Sequence, residues 1–580
     1  MKKNRIALKP YVEAVENICR SLSKEQLVEL VLKLAQDESS SGRLEFIDRI
    51  KDWSPGTESM INAVADVDHL LDNIQALKED ILERIEAIEN GDYEALDDWD
   101  WEDGYYDDDE PDLISDEQSD DLADLFAEAG ALFLNGDTRE ARMVYDALFG
   151  LMAELENSDF YLPYPDLDWR EERARHARCV YDDSDEKQRI TAFADAMNLD
   201  ASFQYDRMEN NTAYPMLCDV MDARQEKMAD LESFYPAWKS LLEKKGLEGR
   251  PSSLLLETVL QTEGENGVQK LARAWGSAQP NGYLFWLDLL MKAGQFNKAC
   301  TIARQAITLV KNGKKREALS QVLVEASRSA GNDEGILEGK FEKFYSCPND
   351  ENMSQAMAEA IEHNQRENGL TRILDFYSPK KKMSDDDKNL YMKALLMNGN
   401  LKAAVEMVKA SRSLGWSYGL NVGLVFGCVA AAASGYETGA GAIKQVLDRG
   451  LDHRYAYSHR FAVADEKNPP LFFYNEILNG LKAANLSEYH TRQDFKWAEE
   501  IGRKRVDDIV SNTHRGAYDR AAMVLGSLAE VFTAKGETEI AQNLFHEFCK
   551  QKYNRHTAFK REVRSVIAGS RLLKTLNPVF

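Results

Sequence analysis

One turn occurs four times in this chain, and it restricts the fold more than any other feature. Leu132 to Gly136 leads to Ala141, Leu290 to Gly294 leads to Ala299, Leu395 to Gly399 leads to Ala404, and Phe532 to Gly536 leads to Ala541. Each time a large apolar residue stands four positions before Gly, and Ala stands five after it. Gly ends one helix by taking a left-handed conformation at little cost. The small Ala lets the next helix approach, and the large residue fills the groove between the two. The unit is a helical hairpin. Hairpins of this kind stack to bury a continuous core. Gly331 opens a fifth candidate, with Ile336 in place of the Ala.

The rest of the chain agrees with a helical reading. Leu27, Leu30, Val31 and Leu34 recur at helical spacing, and Ser23 precedes Gln26 by three, a capping-box spacing. Met60 to Ile88 continues the pattern through Ile61, Val64, Val67, Leu70, Leu71, Ile74, Leu77, Ile81 and Ile85. Val422 to Ala433 is apolar throughout, includes Gly423 and Gly427, and reads as a buried helix. Only 14 of the 580 residues are Pro, and strand-like alternation is nearly absent. The predicted fold is all-α, a solenoid of stacked helical hairpins. A chain of this length exceeds one hydrophobic core, so several blocks are expected. We expect them at 1–91, 92–121 (an acidic linker, expected to be disordered), 122–245, 246–415 and 416–580.

The hairpin turn resembles that of the tetratricopeptide repeat. Seven residues before each Gly that repeat places a packing residue, here Ala129, Leu287, Met392 and Ala529. Tyr145 and Phe545 stand at the aromatic position of the second helix. The units are spaced irregularly, so the resemblance implies a tetratricopeptide-like solenoid and not a strict array. A second resemblance is to the helical region of bacterial SWIM zinc-finger proteins. It is carried by Ser21 to Leu30, Arg520 to Ala529, Lys535 to Ala541 and Tyr553 to Glu562. That family's finger needs CxC followed by CxH, and this chain has neither. What the resemblance implies is the helical-repeat body alone, with a role in protein interaction.

Charge is unevenly placed. The net charge is −28, from 99 Asp plus Glu against 71 Lys plus Arg. Residues 92–121 hold 16 acids and no Lys or Arg, interleaved with Tyr93, Trp99, Trp101, Tyr105 and Tyr106. Such a run is a solvated spacer, or an acidic aromatic arm for a basic surface, with Trp99, Trp101, Asp107, Asp108 and Asp109 as its contacts. The calcium-loop pattern fails, because Gly104 would put Trp99 at position one. The opposite pole is the C-terminus, where Lys552, Arg555, Lys560, Arg561 and Arg564 fall close together. It reads as a solvated helix face or a binding face for an acidic segment. The global charge argues against nucleic acid and anionic membranes.

Catalytic and metal signals are weak. His546, Cys549 and His556 could share a helix face around a zinc ion, but Phe545 and Phe548 point to an ordinary packed helix. His453 and His459, six apart, align poorly. Gly439-Ala440-Gly441 before Lys444 lacks a preceding strand and reads as a turn between helices. HExxH, GxSxG and CxxC are absent. Seven scattered Cys and the lack of an apolar signal core point to a reducing cytoplasm. No run of about 18 apolar residues suggests a membrane span. Pro379 to Asp387 reads as an exposed charged loop, and Tyr161 to Trp169 as a block boundary. The expectation is a non-enzymatic scaffold without cofactor that binds one or more proteins, one with a basic surface. Two alternatives stay open: a regulatory component of a bacterial defence or stress system, and a metal or catalytic protein hidden in a solenoid.

Overall fold

The structure is a computed structural model. It describes residues 8–24, 26–28, 31, 67–90, 113–156, 167–200, 213–378, 382–411, 413–416, 419–437, 441–451, 469–486 and 488–576. Among these, every regular element is a helix. The fold is an all-α solenoid of stacked hairpins. The chain divides after Gly282 into two compact units. This division falls inside the expected block 246–415.

The repeated turn is built as its residues require. Gly136, Gly294, Gly331, Gly399 and Gly536 all have positive φ, between 66° and 100°. In each, the Gly amide donates to the carbonyl three residues back. The next amide donates to the carbonyl five residues back, as from Asn400 to Leu395 at 2.8 Å. This Schellman pairing satisfies carbonyls that a helix end leaves open. The partner residues are where packing wants them. Ala141, Ala299, Ala404 and Ala541 are fully buried, as are Ala129, Leu287, Met392, Ala529, Tyr145 and Phe545.

Three further copies of the turn lack part of the sequence pattern. They centre on Asn364, Gly435 and Thr513, with φ of 56°, 66° and 54°. Asn tolerates this conformation better than most residues, and Thr poorly. Five after Asn364 stands Gly369, whose added Cβ would lie 2.9 Å from the Ala360 Cβ. The close approach that Ala provides elsewhere is thus provided there by Gly.

In the first unit, Asp116–Asn135, Thr138–Leu155 and Trp169–Asp183 pack on one another in succession. Ser115 caps the first of them: its hydroxyl accepts from the Gln118 amide, and the Gln118 side chain returns to the Ser115 amide. Residues 116–121 therefore belong to a helix and not to the acidic linker, because a cap and two first-turn acids start it there. A buried network ties this layer together. Tyr145 donates to Glu172 at 2.7 Å, and Arg175 donates to the other Glu172 oxygen at 2.7 Å.

In the second unit each helix from Phe296 to Leu451 packs on its chain neighbour, the pattern of stacked hairpins. Val422–Ala433 is the buried helix expected, with Gly423 against Trp416 and Gly427 against Leu447. The expected loop at 379–387 is shorter: Ser384 caps a helix beginning at Asp385, and the three acids form its first turn. Residues 379–381 lie outside the described part, as do 157–166 of the expected boundary before Trp169.

The turns differ in what surrounds them, which gives a graded prediction. A Cβ added at Gly294 or Gly536 meets nothing within 4 Å, whereas at Gly399 it would lie 2.5 Å from the Ala484 Cβ and 2.8 Å from the Gly480 oxygen. Gly294→Ala and Gly536→Ala are expected to cost about 1–2 kcal/mol, the left-handed penalty alone. Gly399→Ala is expected to cost about 3 kcal/mol, since overpacking adds to it. Equilibrium urea unfolding of the three variants checks the order. Equal losses would show that the Gly399 turn is not so crowded.

Candidate functional site

The C-terminal helices enclose an open groove of about 370 Å³. Ala442–Leu451, Tyr518–Ala534 and Thr557–Gly569 frame it. Two glycines set these helices close together. Gly526 lets Thr557–Gly569 approach, as a Cβ there would be 2.4 Å from Val566 Cγ1. Gly441 lies against the buried Glu530 carboxylate, where a Cβ would be 1.9 Å from Oε1. That carboxylate accepts from the Ala442 and Ile443 amides at 2.7 and 2.8 Å. The expected inter-helix turn at 439–441 thus ends on a buried acid that caps the next helix. Residues 439 and 440 lie outside the described part.

The groove has an apolar floor, Met523 and Val566, both buried. Its rim is polar: Gln445, Asp448, Arg449, Asp519, Glu562 and Ser565. The rim carries three carboxylates and one guanidinium. Arg449 bonds Asp519 at 3.2 Å, Lys444 pairs with Asp448, and Arg561 with Glu562 at 3.3 Å. The more exposed pairs, Lys444–Asp448 and Arg561–Glu562, contribute about 0–1 kcal/mol each, so a partner's cations displace them at little cost. The arrangement suits an amphipathic segment with basic flanks.

The basic stretch expected here is divided. Helix Thr538–His546 runs into a π-helical turn, Glu547–Lys552, and a new helix starts at Thr557. Lys552 pairs with Asp507 and Glu547, each at 3.1 Å. Burial pulls its ammonium pKa down, but the two carboxylates outweigh that and hold it above the usual value. Arg555 is exposed between the elements, and Lys560, Arg561 and Arg564 lie on the last helix. The five cations therefore form no single helix face. Trp99, Trp101, Asp107, Asp108 and Asp109 lie outside the described residues.

His546, Cys549 and His556 do not share a helix face either. His546 is exposed, and Cys549 is buried in the π-helical turn, where burial pushes its thiol up to about 12. His556 precedes the last helix with Nδ1 3.0 Å from the Tyr518 hydroxyl. Among the described residues, no group of three His, Cys, Asp or Glu is placed to hold a metal ion. His453 and His459 lie outside them.

No family model matches the sequence, and no curated protein matches it. Among solved structures, one similar chain is described as a circular tandem repeat protein with novel repeat topology and enhanced subunit contact surfaces. It is 13% identical, with 88% of this chain and 97% of that chain covered and a TM-score of 0.14. At that score the likeness carries no functional information. No described helix is long and apolar enough to cross a membrane.

Proposed function

We propose that this chain is a non-enzymatic helical-repeat scaffold that holds a partner protein, and that the C-terminal groove takes an amphipathic basic segment of that partner. The observation that supports it most is the groove itself: an apolar floor under a rim with three carboxylates, set between three helices. Stacked hairpins present extended surfaces suited to peptides and helices. Charge at the rim steers a basic segment, and the floor supplies apolar contact.

The test is capture from native extract with the parent chain and with Asp519→Lys/Glu562→Lys. A partner should be retained by the parent, released as salt rises, and lost roughly tenfold or more with the reversed rim. Equal capture by both chains would move the interaction to another surface. Capture of nothing by the parent would sink the scaffold reading itself.

A further inference from the structure

Three hairpins follow one another between Asp350 and Leu451: Asp350–Glu362 with Arg366–Tyr377, Asp385–Met397 with Leu401–Val408, and Val422–Ala433 with Ala442–Leu451. Helix Pro469–Ala483 breaks their order. It packs on Ala442–Leu451, its neighbour in sequence, and also reaches the first helices of all three hairpins.

Its polar contacts gather at the hairpin turns. Arg366, just past the Asn364 turn, donates to Glu476 at 2.9 Å and to the Met397 carbonyl at 2.9 Å. Gly480 lies so close to the Gly399 turn that a Cβ would be 1.9 Å from the Met397 oxygen. Tyr436, beside the Gly435 turn, donates to the Leu481 carbonyl at 2.8 Å. That carbonyl belongs to the last helical turn, which has no partner of its own. Between these points Phe473, Ile477 and Leu481 form one buried stripe at intervals of four. Lys393 Nζ lies 5.0 Å from the Phe473 ring centre. Leu471 is 58% exposed on the outer side.

An amphipathic helix lies in a hydrophobic groove in this manner, anchored at i, i+4 and i+8. The geometry points to a helix-binding groove along the first helices of these hairpins, filled in cis by Pro469–Ala483. A partner helix with the same chemistry takes its place: apolar at i, i+4 and i+8, carboxylate at i+3, Gly at i+7. The cis helix then acts as a built-in competitor that lowers apparent affinity by the fraction of time the groove is open. The outside partner rests on the scaffold reading above, but the docked helix does not.

The test needs no outside partner. A fluorescent peptide of residues 467–486 is titrated into the full chain and into variants of its own docked helix, followed by anisotropy. Gly480→Ala clashes with Met397 while favouring helix, so it frees the groove. Glu476→Arg repels Arg366 more gently and carries the test should Gly480→Ala fail to fold. Each variant is expected to bind the parent-sequence peptide roughly tenfold or more tighter than the parent chain does. A peptide carrying Gly480→Ala should bind none of them. Adding Arg366→Glu to the Glu476→Arg chain should weaken the parent peptide and favour one carrying Glu476→Arg, which places the peptide in this groove. If the folded variants bind the peptide no better than the parent, the helix is fixed core and the inference fails. It fails equally if both variants lose the helix signal of the whole unit by circular dichroism. Neither result touches the scaffold reading, which the capture experiment decides separately.

Discussion

Lys340→Met is expected to destabilise the second unit by about 3–5 kcal/mol, the loss that follows when one partner of a buried ion pair is removed. Lys340 and Glu359 are each 8% exposed, and their side chains bond directly between neighbouring helices. Met fills the space of the Lys stem but leaves the Glu359 carboxylate with His363 alone, at 3.1 Å. The double variant Lys340→Met/Glu359→Leu should recover most of the loss, since an apolar pair of similar volume avoids the desolvation of both charges. Urea unfolding of the single and double variants gives the coupling directly. A Lys340→Met chain within about 1 kcal/mol of the parent would show the pair to be solvated.

The same pair sets part of the acid limb of stability. Burial pushes the Glu359 carboxyl up, but the hydrogen bond and charge of Lys340, with those of His363, hold it below the usual carboxylate range. A carboxyl lowered on folding contributes stability above its unfolded value, near ~4.3, and loses it as pH falls through the folded value. Lys340→Met removes the main lowering influence, so the fall in Tm below about pH 5 should become shallower.

Much of the fold was legible because it is written locally. The Gly, the apolar residue before it and the Ala after it act within a dozen residues, and all four full turns form as read. The Ser23–Gln26 capping box forms for the same reason, with the Ser23 amide 2.9 Å from the Gln26 side chain. The Asn364 and Thr513 turns were missed because Gly is only one way to reach positive φ. Gly369 at the +5 position was the available signal for the first. The groove could not be seen: Gln445, Asp519 and Glu562 are far apart in sequence and meet only after three helices dock. The same holds for Pro469–Ala483, whose stripe reads as any amphipathic helix. Its docking on helices about a hundred residues earlier depends on Gly480 and Arg366, which carry no such mark alone. The spacing of the C-terminal cations alone does not reveal that a π-helical turn separates Lys552 from the helix that carries Lys560, Arg561 and Arg564.

Glu530→Ala is expected to cost about 3–5 kcal/mol, through two buried amides left without an acceptor at ~1–3 kcal/mol each and a cavity beside them. Glu530 projects from Tyr518–Ala534 and is 1% exposed. Its two oxygens take the amides of Ala442 and Ile443, which open the helix that forms one wall of the groove. Glu257 does the same in the first unit, accepting from Leu217 and Cys218 at 2.7 and 2.6 Å. Helix N-termini favour negative charge, so a buried carboxylate is tolerable there. It is still costly: burial pushes the Glu530 carboxyl up, and bonds from Ser570, Ile443 and Ala442 only partly offset it. A carboxyl raised on folding reduces stability once both states are ionised, and that loss is relieved as pH falls through the folded value toward the unfolded one. Glu530→Gln keeps one acceptor oxygen and cannot titrate, so it should cost about 2 kcal/mol at neutral pH. Its deficit against the parent should widen as pH falls from ~7 to ~5, because only the parent gains there. Urea unfolding of parent, Gln and Ala chains at the two pH values measures this. A Gln deficit that stays constant or shrinks on acidification would mean that Glu530 is not the raised, helix-capping acid described here.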